Sequence, residues 1–180
     1  MNQLSTQMEA GDICVITYSG HGGQVFDQSG DEADGKDETW CFYDGDLVDD
    51  EIHDLLKEFK EGTRVLIISD SCFSGTIFKN GEPSSLMWGA TERVDLGGVK
   101  AAVRLISSSQ ENELSRGNRK HGLFTEALLE VWDEGDFEGN YQDLYEEIVA
   151  YLPYNIKQTP NHLMGGAEEE AFDNNRPFEV

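Results

Sequence analysis

Apolar residues gather along this chain in short blocks separated by longer polar stretches, and the blocks are of two kinds. The first kind is continuous: ICVIT from Ile13, VLII from Val65 and VRLI from Val103. Runs this short, rich in β-branched residues and bounded by turn formers, predict buried strands over Asp12–Tyr18, Arg64–Ser69 and Val99–Ser107. The second kind repeats at helical spacing. In DDEIHDLLKEF, Ile52, Leu55, Leu56 and Phe59 fall on one side, Asp49 and Asp50 suit the N-terminus, and Gly62 suits the end. HGLFTEALLEVW places Leu123, Phe124, Ala127, Leu128 and Val131 together; YQDLYEEIVAYL follows the capping residue Asn140 and stops at Pro153. Weaker signals predict a helix end around Leu4–Ala10, an acidic loop over Asp27–Glu38, a short strand or turn over Thr39–Tyr43, a loop from Gly75 to Gly98, and a late strand around His162–Met164.

Strands alternating with helices predict an α/β fold, a mostly parallel sheet covered by helices on both faces, in a single domain spanning 1–180. Such sheets bind ligands beyond the carboxyl ends of their strands. Two residues with reactive side chains stand there. YSGHGG puts His21 just past the first strand, and SDSCFSG puts Cys72 just past the second. If those strands are neighbours, imidazole and thiol meet at one rim.

Composition narrows the field. Thirteen basic residues against 36 acidic ones give a net charge of −23. Phosphate backbones are repelled by such a surface, so nucleic-acid binding is not expected; cationic peptides and divalent metals are attracted. The sequence has neither a membrane-length apolar run nor a signal-like N-terminus, so no membrane association is expected and a cytoplasmic location is the default. The three cysteines Cys14, Cys41 and Cys72 form no CxxC, which argues against a disulfide framework or zinc site. Cys14 and Cys41 lie among apolar and aromatic residues and read as packing.

Cys72 reads as chemistry. A thiol becomes a strong nucleophile once an imidazole removes its proton. Gly20, Gly22 and Gly23 let a substrate backbone approach, Ser71, Ser74 and Gly75 leave the sulfur uncrowded, and the N–H groups of Gly22 and Cys72 are candidate donors to an oxyanion. Asp70, two residues before Cys72, shares its face of an extended chain end. A carboxylate buried beside the nucleophile favours a cation, hence a substrate residue of Arg or Lys type, unless it caps a turn or a neighbouring helix instead.

YSGHGGQ together with DSCFSG resembles the caspase-like cysteine peptidases (clan CD, family C14), above all the metacaspases and their prokaryotic relatives. His precedes Cys by about fifty residues, as in that family. GDEADGKDE, LVDDEIHDLL, LISSSQENELS, HGLFTEALLE and NNRPF extend the likeness over most of the chain. The resemblance implies a caspase–haemoglobinase fold, a His21–Cys72 dyad with no third catalytic residue, and hydrolysis through a thioester. It also implies a pocket for Arg or Lys lined by Asp70 and Ser19. Its fold opens with a strand and helix ahead of the His-bearing strand; this sequence has only a helix end there, so that first strand is expected to be missing. Calcium is a possible cofactor by the same resemblance, with Asp37, Asp49 and Asp50 where three ligands fall, although Lys79 occupies the position of a fourth. Asp49 and Asp50 could equally serve only to cap the helix.

SRGNRKHG, 115–122, offers Arg116, Arg119 and Lys120 as a processing loop or as a plain exposed turn. The expected partners are a peptide or protein substrate with basic residues and an activating protease or regulatory domain. Two other readings stay open: an inactive caspase-like interaction module, and an acidic calcium-binding domain with an incidental cysteine.

Overall fold

A computed structural model describes residues 2–30, 35–72, 91–108, 122–153 and 160–179. The elements run α1 (Asn2–Gln7), β1 (Ile13–Ser19), β2 (Gly22–Phe26), β3 (Lys36–Phe42), β4 (Gly45–Val48), α2 (Asp49–Lys57), β5 (Arg64–Asp70), β6 (Thr91–Arg93), β7 (Ala102–Ser107), α3 (Leu123–Trp132), α4 (Tyr141–Tyr151), β8 (Asn161–Gly166) and α5 (Glu170–Asn174). Every residue of β5 and of β7 is buried, as expected of strands covered on both faces. They lie at the centre of a five-stranded sheet ordered β1-β5-β7-β8-β6.

The sheet is mostly parallel. β1 pairs with β5, β5 with β7, and β6 with β8 in parallel, whereas β8 runs antiparallel to β7. The alternation of apolar runs and helices hid that reversal, because a strand's hydrophobic pattern carries no sign of its direction. One face is closed by α2, whose Ile52 and Leu56 meet Val65, Ile67, Val103 and Leu105. The other is closed by α3, α4 and α5, whose Phe124, Leu144, Ile148 and Phe172 meet Leu66, Ile68 and Ile106. β1 forms one edge and alternates, with Cys14 buried and Val15 41% exposed.

Several expectations change. The acidic stretch is not all loop: β2, β3 and β4 form a separate antiparallel sheet, and Asp37 and Glu38 are buried within it. β6 lies inside the stretch read as loop. The cap of α2 is also different. Val48 is the N-cap, and the Glu51 carboxylate accepts its N–H at 3.1 Å, while Asp49 and Asp50 are already helical. Asn140 does cap α4, accepting from the N–H groups of Gln142 and Asp143 at 2.8 and 3.1 Å.

Arg104 on β7 is fully buried, bonded to Asp173 and to the Val103 carbonyl and lying over the Phe172 ring at 4.9 Å. A buried guanidinium needs such partners; α5 supplies Asp173 and Phe172, and β7 the Val103 carbonyl. Among the described residues no helix is long and apolar enough to cross a membrane.

Candidate active site

β1 and β5 pair in register from Ile13↔Arg64 to Ser19↔Asp70. The pairing extends one residue further, the Gly20 N–H reaching the Asp70 carbonyl at 3.2 Å. His21 and Cys72 each lie two residues beyond the Ser19–Asp70 pair, so the two chain ends leave the sheet side by side. Gly22 then packs on the backbone of Cys72. A Cβ at Gly22 would stand 1.9 Å from the Cys72 carbonyl oxygen and 3.2 Å from its nitrogen. Glycine is required there by space alone.

The other side of the Cys72 turn is held by serines. Ser108, just past β7, donates its N–H to the Ser69 carbonyl at 2.9 Å and its hydroxyl to the Ser71 carbonyl at 3.2 Å. The hydroxyls of Ser69 and Ser71 are 3.1 Å apart, and all three serines are fully buried. Cys72 itself is half-buried and in no disulfide, and His21 is exposed. Ser74 and Gly75, expected to leave the thiol uncrowded, lie outside the described residues, as do Lys79 and all of 115–122 except Gly122.

His21 is fixed through its backbone. The Cys41 N–H donates to its carbonyl at 2.9 Å. That bond makes the Gly22↔Trp40 pair of β2 and β3 a non-hydrogen-bonded one. The Gly22 N–H therefore points away from β3, on the chain segment that touches Cys72. Two features of this turn were not legible in the sequence. The Tyr18 hydroxyl lies 2.7 Å from the His21 carbonyl and 3.0 Å from that of Cys41, and its ring stacks on Trp40 at 4.7 Å. Burial, with the nearby Cys41, pushes the Tyr18 pKa upward.

Asp70 is 5% exposed, and its carboxylate meets the start of α3: the Thr125 N–H donates to it at 3.1 Å and the Thr125 hydroxyl at 2.6 Å. Gly122, the N-cap, lies against the same carboxylate, so close that a Cβ there would meet its oxygen at 1.9 Å. The carboxylate thus serves the N-terminus of a neighbouring helix, where negative charge is favoured. Ser19, its pairing partner, is exposed at the sheet edge.

The carboxylates considered for calcium form no cage. Asp37 and Asp49 are buried and Asp50 is half-buried, but among the described residues no three acidic, His or Cys side chains stand together as a metal site. The Asp49 carboxylate is occupied by the N–H groups of Asp50, its neighbour in α2, and of Glu38, which joins α2 to β3. Burial, with the charges of Glu38 and Asp37, raises its pKa to about 7.

A mostly parallel α/β sheet with a histidine and a cysteine just past adjacent strand ends is consistent with the caspase–haemoglobinase fold. The family described as "Metacaspase, peptidase C14 domain" matches residues 1–80. Metacaspase-1 of Saccharomyces cerevisiae is 40% identical over 82 residues, covering 43% of this chain and 19% of the yeast protein. Metacaspase-1 of Arabidopsis thaliana is 44% identical over 73 residues, covering 38% of this chain and 20% of the plant protein. The chain spans about a fifth of the length of these curated relatives. The crystal structure of protein GSU0716 from Geobacter sulfurreducens superposes with a TM-score of 0.79 at 37% identity, covering 99% of this chain and 75% of that one. Over residues 1–80 the chain is similar to the caspase-like peptidases of family C14.

Proposed function

We propose that this protein is a cysteine endopeptidase acting through His21 and Cys72, with a preference for cutting after Arg or Lys. The observation that carries the reading is the β1–β5 register, continued past both strands, with Gly22 seated on the Cys72 backbone. In the proposed reaction the Cys72 thiol gives its proton to the His21 imidazole, and the sulfur attacks the scissile carbonyl carbon. The N–H groups of Gly22 and Cys72 receive the resulting oxyanion. As the tetrahedral adduct collapses, the C–N bond breaks and the imidazolium protonates the departing amine. A thioester remains. Water then attacks it, giving a proton to His21, and the carboxylic acid leaves as the thiol is restored.

The basic preference rests on Asp70, a buried carboxylate two residues from the nucleophile and in register with Ser19. Thr125 holds this carboxylate in one place, which suits a pocket that recognises a cation by position as well as charge. An acidic surface of net charge −23 draws cationic peptides toward the rim. The test is a fluorogenic peptide panel varied at the residue before the cut. Release from Arg and Lys peptides, abolished in Cys72→Ala and in His21→Ala, supports the reading; retention of cleavage in either variant overturns it.

A further inference from the structure

The turn between β1 and β2 carries His21 on exposed backbone, yet the geometry around it is crowded and specific. One side chain organises it. The Tyr18 hydroxyl reaches the carbonyl of His21 at 2.7 Å, and that same carbonyl accepts the Cys41 N–H at 2.9 Å. The hydroxyl also approaches the Cys41 carbonyl at 3.0 Å. The ring that carries it is itself immobilised, stacked on Trp40 with planes 15° apart and meeting the Phe42 ring edge-on at 5.3 Å. Gly20 completes the arrangement. A Cβ there would stand 2.7 Å from the Tyr18 oxygen, and Gly20 is not among the glycines of positive φ, so this contact rather than backbone strain calls for a glycine.

We infer that Tyr18 is the positioning residue of the dyad: its hydroxyl clamps the His21 carbonyl, and so sets where the imidazole stands relative to Cys72. The inference rests on the reading of His21 as the partner of Cys72. It follows from leverage. The imidazole is attached to a turn whose Cα is fixed by one carbonyl with two donors, Cys41 N–H from the sheet and Tyr18 O–H from the core side. Removing the second donor leaves the strand bond intact and frees the turn to rotate about it. A displacement of the base by about 1 Å is enough to lower a rate about a hundredfold.

Tyr18→Phe keeps the ring and its stacking while removing only the hydroxyl. The expected result on an arginine peptide is a kcat lower by about 10- to 100-fold with KM within about twofold of wild type. A second readout does not need peptidase activity. Iodoacetamide alkylation of Cys72, followed across pH by peptide mass mapping, should slow in Tyr18→Phe toward the rate and profile of His21→Ala. Gly20→Ala, which pushes the hydroxyl away, should act in the same direction, and the double variant should be no slower than the slower single one. Wild-type kcat and a wild-type alkylation profile in Tyr18→Phe would overturn the inference, as would additive losses in the double variant. Identical alkylation of wild type and His21→Ala would instead remove the dyad reading, and this inference with it.

Discussion

At the scale of single residues, the site is built from small side chains that allow backbones to touch. Gly22 is the sharpest case, since any Cβ collides with the Cys72 carbonyl. Gly22→Ala should therefore lower kcat/KM by about a hundredfold or more, while circular dichroism remains that of a folded protein. A Gly22→Ala enzyme as active as wild type would show that the two chain ends do not meet. On the proposed reading Asp70 has two duties, and they separate by measurement. Asp70→Ala should lose the Arg/Lys preference and also cost about 1–2 kcal/mol of stability, because α3 loses the acceptor for Thr125. Thr125→Val removes one donor and should weaken the preference without inverting it. If Asp70→Ala destabilises the protein but cleaves the same sites as before, the carboxylate belongs to the helix and not to the substrate.

At the scale of elements, continuous apolar runs and helical spacing made β1, β5, β7, α2, α3 and α4 legible, and the positions of His21 and Cys72 followed from strand ends. The rest was hidden for physical reasons. β2 begins with the two glycines of the histidine turn, and β3 carries Asp37 and Glu38 into a buried environment, so neither alternates as a half-buried strand should. β6 has three residues, too few for any period to show. The clamp of Tyr18 on His21 joins residues three apart but depends on Trp40 and Cys41 of β3, and the grip of α3 on Asp70 joins residues 55 apart; no local pattern announces either. The β6–β8–α4 junction makes a prediction of its own. His162 on β8 is 2% exposed, with Nδ1 3.1 Å from both the Thr91 hydroxyl and the Gln142 side-chain oxygen. Burial, with Arg104 nearby, lowers its pKa from 6.5 to about 3. An unfolded chain takes up a proton on this ring below about pH 6.5 and the folded protein does not until about pH 3, so acid in that window favours unfolding. Above it, His162 contributes no pH dependence. Denaturant melts at about pH 7 and about pH 4 should show His162→Gln losing less stability than wild type, the difference being on the order of 1–3 kcal/mol. Equal losses in the two proteins would mean that the imidazole is already charged in the fold.

At the scale of the whole molecule, a net charge of −23 acts on every encounter. It repels itself and attracts cationic peptides, and salt screens both effects beyond about 10 Å at about 0.1 M. Raising sodium chloride from about 0.02 M to about 0.5 M should therefore lower kcat/KM on a lysine- or arginine-rich peptide by roughly tenfold, while stabilising the fold against heat. Invariance of kcat/KM with salt would remove charge steering from the account. The proposed activity presupposes one arrangement, in which two strands deliver an imidazole and a sulfur to the same rim. The most direct measurement is covalent trapping with a peptidyl acyloxymethyl ketone ending in arginine, read by mass spectrometry of the intact protein and of its peptides. The account predicts a single adduct on Cys72 that forms far more slowly in His21→Ala. An adduct on Cys41, no adduct at all, or undiminished trapping in His21→Ala would contradict it.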